Sequence, residues 1–65
     1  MTVDLWRLDK DYALYVENRR IIYNIERSRN WPIMAEYFKY DRLVARQYRV
    51  PASEVRSARH YAKPV

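Results

Sequence analysis

The sequence predicts an all-α fold, a small single domain of three helices, and three observations carry that prediction. The 65-residue chain contains no glycine, where average usage of roughly 7% would supply four or five. Two-residue hairpin turns and phosphate-binding loops both lean on glycine, so both are disfavoured. Apolar residues recur at helical spacing through two long stretches, and no segment alternates as a clear strand. Prolines at 32 and 51 punctuate those stretches where a helix stops and restarts.

The first helix is expected over 9–29. Tyr12, Tyr15, Val16, Ile22 and Tyr23 form one stripe, continued by the stem of Arg19. Asp9 and Asp11 suit its positive end, and Arg27 and Arg29 the other. Leu14, Ile21 and Ile25 make a second stripe on another face. A helix apolar on two faces in so small a protein is a candidate dimerisation element. After the stop at Asn30-Trp31-Pro32, a second helix is expected over 32–48, with Ile33, Tyr37, Tyr40, Val44 and Tyr48 in period and Met34, Phe38 and Ala45 widening the stripe. Arg49-Val50-Pro51 breaks it. A third helix over 51–62 turns Val55 and Ala58 inward.

Hydrophobic residues make up 49% of the chain, enough apolar material for a core. A single core below about 70–80 residues is marginal without a staple. There is no cysteine, which removes disulfides, thiol chemistry and cysteine-based zinc sites. Tight packing or self-association is left to do that work, and a homodimer is expected. No run approaches 18 apolar residues, and Met1–Leu8 lacks the apolar core of a signal peptide. The cytoplasm, or a host's cytoplasm for a viral protein, is the default location.

The formal net charge is +5, and it is unevenly placed. Residues 1–41 hold seven bases and seven acids. Residues 42–65 hold Arg42, Arg46, Arg49, Arg56, Arg59 and Lys63 against Glu54 alone. A basic segment of this kind favours nucleic acid or an acidic protein surface as partner.

The same segment has a distinctive apolar spacing. Two helices crossing at a tight turn need a small residue at their contact, a branched residue after the turn, and two apolar positions three apart on the second helix. Ala45, Val50, Val55 and Ala58 occur in that order, with Val44 and Tyr48 as further buried positions. Residues 41–60 therefore resemble the helix-turn-helix superfamily of DNA-binding proteins, as a generic match giving a C-terminal helix-turn-helix-like unit. Where that motif commonly places glycine in the turn, this chain has Arg49, at a cost of about 1 kcal/mol for a left-handed backbone. The resemblance implies duplex DNA as partner, with the helix from Pro51 in the major groove. Ala52, Ser53, Arg56, Ser57 and His60 then face base edges, Arg56 with a guanidinium fork suited to guanine. Arg42, Arg46, Arg49, Arg59 and Lys63 flank them as phosphate contacts. Such a protein would be a transcriptional regulator or a phage-type accessory factor.

A catalytic centre is not expected. His60 is the one histidine and makes neither a metal site nor a triad by itself. Asp9 and Asp11 read as first-turn charges rather than an acid/base pair. No cofactor, metal or small-molecule substrate is implied. The seven tyrosines raise the idea of a stacking platform for single strands, but Tyr12, Tyr15, Tyr23, Tyr37 and Tyr48 fall on the expected buried stripes. That leaves Tyr40 and Tyr61 as exposed candidates and Trp6 and Trp31 as seals of the core. The rival reading is a small basic helical inhibitor or adaptor that grips an acidic surface of another protein.

Overall fold

A computed structural model describes residues 3–62, and it overturns the all-α expectation. The chain forms β1 (Val3–Leu8), β2 (Asp11–Val16), α1 (Arg19–Ser28), β3 (Ile33–Lys39), β4 (Arg42–Val50) and, after a 3₁₀ turn at Ala52–Glu54, α2 (Val55–Ala62). The four strands make one antiparallel sheet in the order β1-β2-β4-β3. Both helices pack on one face of it, α1 over β4 and β2, and α2 over β1.

The helix expected over 9–29 divides into a strand and a shorter helix. Leu14 and Val16, two apart, bury their side chains beside Tyr48 and Val50 of β4, and this two-residue period is that of a strand. Asn18 starts α1 by accepting from the backbone amides of Arg20 (3.0 Å) and Ile21 (3.2 Å), an N-cap worth about 1 kcal/mol. The supposed second apolar stripe dissolves: Leu14 sits on β2, Ile25 is buried and Ile21 is half-buried within the same chain. Dimerisation through that stripe loses its basis.

The helix expected over 32–48 is the β3–β4 hairpin, and with it the helix-turn-helix unit is lost. Two irregularities hide its period. The register shifts between Ile33 and Ala35, leaving Met34 extra on β3, and again where Tyr37 faces Ala45 but Phe38 faces Leu43, leaving Val44 extra on β4. Each bulge offsets the alternation by one residue, so apolar positions fall at three- and four-residue spacings. Ala45, expected where two helices touch, instead faces Tyr37 across two strands. The third element is the one expected helix that contains no strand, and its first residues form a 3₁₀ turn.

Absence of glycine does not prevent the turns. Asp9 takes the left-handed backbone in the β1–β2 turn (φ 58°), and Tyr40 and Asp41 take it together in the β3–β4 turn (φ 53° and 63°). Two successive positive φ values are the pattern of a type I′ hairpin turn. Aspartate tolerates this region by bonding locally, whereas a tyrosine gains nothing from it.

One core lies between sheet and helices: Leu14, Val16, Ile22, Ile25, Trp31, Tyr48, Val50 and Ala58, flanked by Val3, Leu5, Tyr12, Leu43 and Tyr61. Trp31 closes it at the junction of α1, β4 and α2. Its ring meets Tyr48 and Tyr61 edge-on at 6.4 and 6.1 Å between centroids. Its indole Nε1 donates to Glu54 Oε1 at 3.1 Å. Tyr61 is therefore packed rather than free, while Trp6, expected to seal the core, is 41% exposed on the other face.

Relieving the strain at Tyr40 should stabilise the protein. Tyr40 is 90% exposed, so Tyr40→Gly removes little packing and should raise stability by up to about 1 kcal/mol, read from the urea midpoint. A lowered midpoint would show that the turn is not strained at this residue.

Candidate nucleic-acid interface

Folding redistributes the charge by layer. The helical segments, 19–29 and 52–62, carry Arg19, Arg20, Arg27, Arg29, Arg56 and Arg59 against Glu26 and Glu54. The strands, their turns and the connection from β2 to α1 carry six bases and six acids. The basic excess of the described residues thus belongs to the helical layer, not to the final third of the chain.

Both acids of that layer are already engaged. Glu26 accepts from the Tyr48 hydroxyl at 2.9 Å and pairs with Arg46 at 3.0 Å. Glu54 takes the Trp31 indole and lies 3.8 Å from Arg29. Arg29 is held in turn over the Trp31 ring, 5.7 Å from its centroid. Among the described residues, Arg19, Arg20, Arg27, Arg56 and Arg59 form no ion pair and are exposed. Ile22 and Ile25 turn inward on α1 and Ala58 on α2, which sends Arg20 and Arg27, and Arg56 and Arg59, outward. Arg27 lies 5.3 Å over the exposed Tyr23 ring.

The expected site residues separate into two groups. Arg56, Arg59 and His60 share the exposed side of α2, with Ala52 and Ser53 exposed on the turn before it and Ser57 half-buried. Arg42, Arg46 and Arg49 are on β4 instead. Arg46 bridges Glu36 (2.8 Å) and Glu26, and Arg49 binds Asp11 at 2.9 Å, so both serve the fold. Arg42 is exposed beside the hairpin turn. Lys63 lies outside the described residues. The arginines of α1 were missed, although Arg20, Tyr23, Asn24 and Arg27 stand at helical spacing opposite Ile22 and Ile25. Their charge was masked by Asp4, Asp9, Asp11 and Glu17, neighbours in sequence that belong to the sheet and its connections.

The uncovered sheet face is a different surface. Cross-strand partners share a face, so Trp6, Ala13 and Arg49 stand in one row, and Asp4, Tyr15 and Gln47 in the next. Tyr37 joins them, its ring 5.8 Å from Tyr15 and edge-on. Tyr15 and Tyr37, expected in the core, are thus surface aromatics, as is Tyr23. The Tyr15 hydroxyl donates to Glu17 at 2.9 Å, a bond that raises its pKa. With Asp4, Asp11 and Glu17 near Tyr15 and Arg49 held by Asp11, the middle of this face lacks the positive groove that single-strand stacking requires.

Comparison with family models, curated protein sequences and solved structures finds no match for this chain. No group of three or more potential metal ligands is present among the described residues, and none of their helices is long and apolar enough to cross a membrane.

Tyr48 ties the two layers together and has a measurable signature. Its side chain is fully buried, and burial pushes its pKa up to about 12, with Arg46 opposing and Glu26 adding to the shift. The folded state holds this proton more tightly than the unfolded chain, whose tyrosines titrate near about 10. The contribution is therefore complete below about pH 10 and is lost as pH rises towards about 12. Tyr48→Phe should lower stability near neutral pH by about 1 kcal/mol and flatten its alkaline decline. Urea midpoints across that window, showing the same slope in parent and variant, would contradict the assignment.

Proposed function

We propose that this protein binds duplex DNA through the outer surface of its helical layer, gripping phosphates with Arg19, Arg20, Arg27, Arg56 and Arg59. The observation that carries this reading is the layer's charge: its arginines project outward, while its two acids are bound by Tyr48 and Arg46 on one side and by Trp31 and Arg29 on the other. Guanidinium groups pair with phosphate oxygens in a bidentate way, and displacement of condensed counterions supplies the driving force. Eight residues of α2 span about 12 Å, which suits contact along the backbone better than extended base readout. His60 and Ser53 stand at the rim of the contact. An acidic protein surface would meet the same arginines and is the rival occupant.

Titration of a short labelled duplex at several salt concentrations tests the reading. Binding should weaken steeply, with a log–log slope of about −3 to −5 per chain for some four to six neutralised phosphates. Arg20→Ala, Arg27→Ala, Arg56→Ala and Arg59→Ala should each reduce the slope by about one. Arg49→Ala, on the opposite face, should leave it unchanged. No binding at low salt, or loss that tracks Arg49 instead, overturns the proposal.

A further inference from the structure

Strand β3 is an open edge of the sheet, and its surface is unlike that of the other edge. Among the described residues, five of the eight exposed large apolar side chains, Ile33, Met34, Tyr37, Phe38 and Tyr40, lie on β3 or its turn. They flank the strand on both sides. Tyr37 meets Tyr15 edge-on on the uncovered face, while Phe38 shares a face with Leu43, which lines the groove beside α1. At the other edge, Val3 and Leu5 of β1 pack onto the core, α2 covers the strand, and Asp4 and Arg7 punctuate it. β1 thus has the charges and cover that discourage strand addition. On β3 Glu36 is paired with Arg46, Lys39 stands only at the end, and the bulge at Met34 leaves residues 35–39 as the regular edge.

We infer that β3 pairs antiparallel with β3 of a second copy, joining two sheets into one across a two-fold axis. A free edge offers a row of backbone donors and acceptors that only another strand can satisfy in register. Charge selects the same surface for self-contact. The chain carries +5, so copies meeting through their arginine layers repel. β3 has one acid and one base, Glu36 and Lys39, and meets its copy without net repulsion. An isologous contact needs a self-complementary patch, and an apolar, electroneutral strand running antiparallel to itself provides one. The axis stands perpendicular to the sheet, so both helical layers lie on the same side of the joined sheet. The pairing holds whether or not those layers bind DNA.

Sedimentation equilibrium or native mass spectrometry of the full chain should give twice the chain mass, with dissociation on dilution. Phe38→Lys changes a side chain that is 61% exposed and places a charge on the edge. It should yield a monomer with an unchanged far-ultraviolet circular dichroism spectrum. Phe38→Asp is a second variant at the same site, and Arg56→Ala should leave the mass at two copies. A monomeric parent at high concentration overturns the inference. So does an assembly larger than two, or a dimer that survives both folded Phe38 variants.

Discussion

Covering a sheet takes helix, and α1 and α2 together suffice for one face. α1 supplies ten residues and α2 eight, about 15 and 12 Å of helix. Four strands spaced about 4.8 Å apart make a sheet some 14 Å across before side chains are added, and two helices of about 10 Å diameter lie side by side over it. Among the described residues no second helical layer covers the other face. The fully buried strand side chains of substantial size, Leu14, Val16, Tyr48 and Val50, therefore share the covered face. The other face keeps Ala13 and Ala45 in its middle, both essentially inaccessible. Ala13 stands between Trp6 and Arg49 in register, and Ala45 beside Tyr37. Larger neighbours shelter what no helix covers.

One-sided cover also decides which polar groups must be satisfied. Tyr48 reaches through the core to the rim of α1, where its hydroxyl meets Glu26, and Arg46 links that carboxylate to Glu36 of β3. A helix and two strands are thereby joined at a place where water is partly excluded and hydrogen bonds to charged groups are worth about 1.5–3 kcal/mol. Trp31 and Glu54 make the corresponding link between the end of α1 and the start of α2. These links also remove the negative charge of the helical layer from play. The same contacts that hold the layers together thus leave an outward surface of arginine.

The sequence displayed the third helix, the stop at Pro32 and the break at Pro51, because proline acts locally and needs no tertiary context. It concealed the hairpin of β3 and β4 because bulges at Met34 and Val44 turn a two-residue period into one that passes for helical. Glycine content misled for a separate reason. It measures the easiest way into the left-handed region, not the only one, and Asp9, Tyr40 and Asp41 enter it without glycine. Of the site, Arg56, Arg59 and His60 were legible as the exposed side of a short helix. The role of Arg46 and Arg49 was not, since their partners Glu36, Glu26 and Asp11 are distant in sequence.

Charge counted along a chain and charge counted over a surface are different quantities, and this protein separates them. Residues 1–41 are electrically neutral in sum, yet α1 within them is basic because the compensating aspartates fold into the sheet. At about 8–10 Å of screening in ordinary salt, a phosphate meeting the outer side of α1 and α2 is governed by the groups of that layer. Carboxylates across the sheet contribute little at that range. The uncovered face presents Asp4, Asp11 and Glu17, with Lys39 and Arg42 at its hairpin end. An isolated pair such as Arg49 and Asp11 adds little stability by itself, since exposed pairs contribute about 0–1 kcal/mol. Its larger effect is to neutralise Arg49 in the middle of the uncovered face. The fold therefore sorts charge between its two faces by what it neutralises as well as by what it exposes.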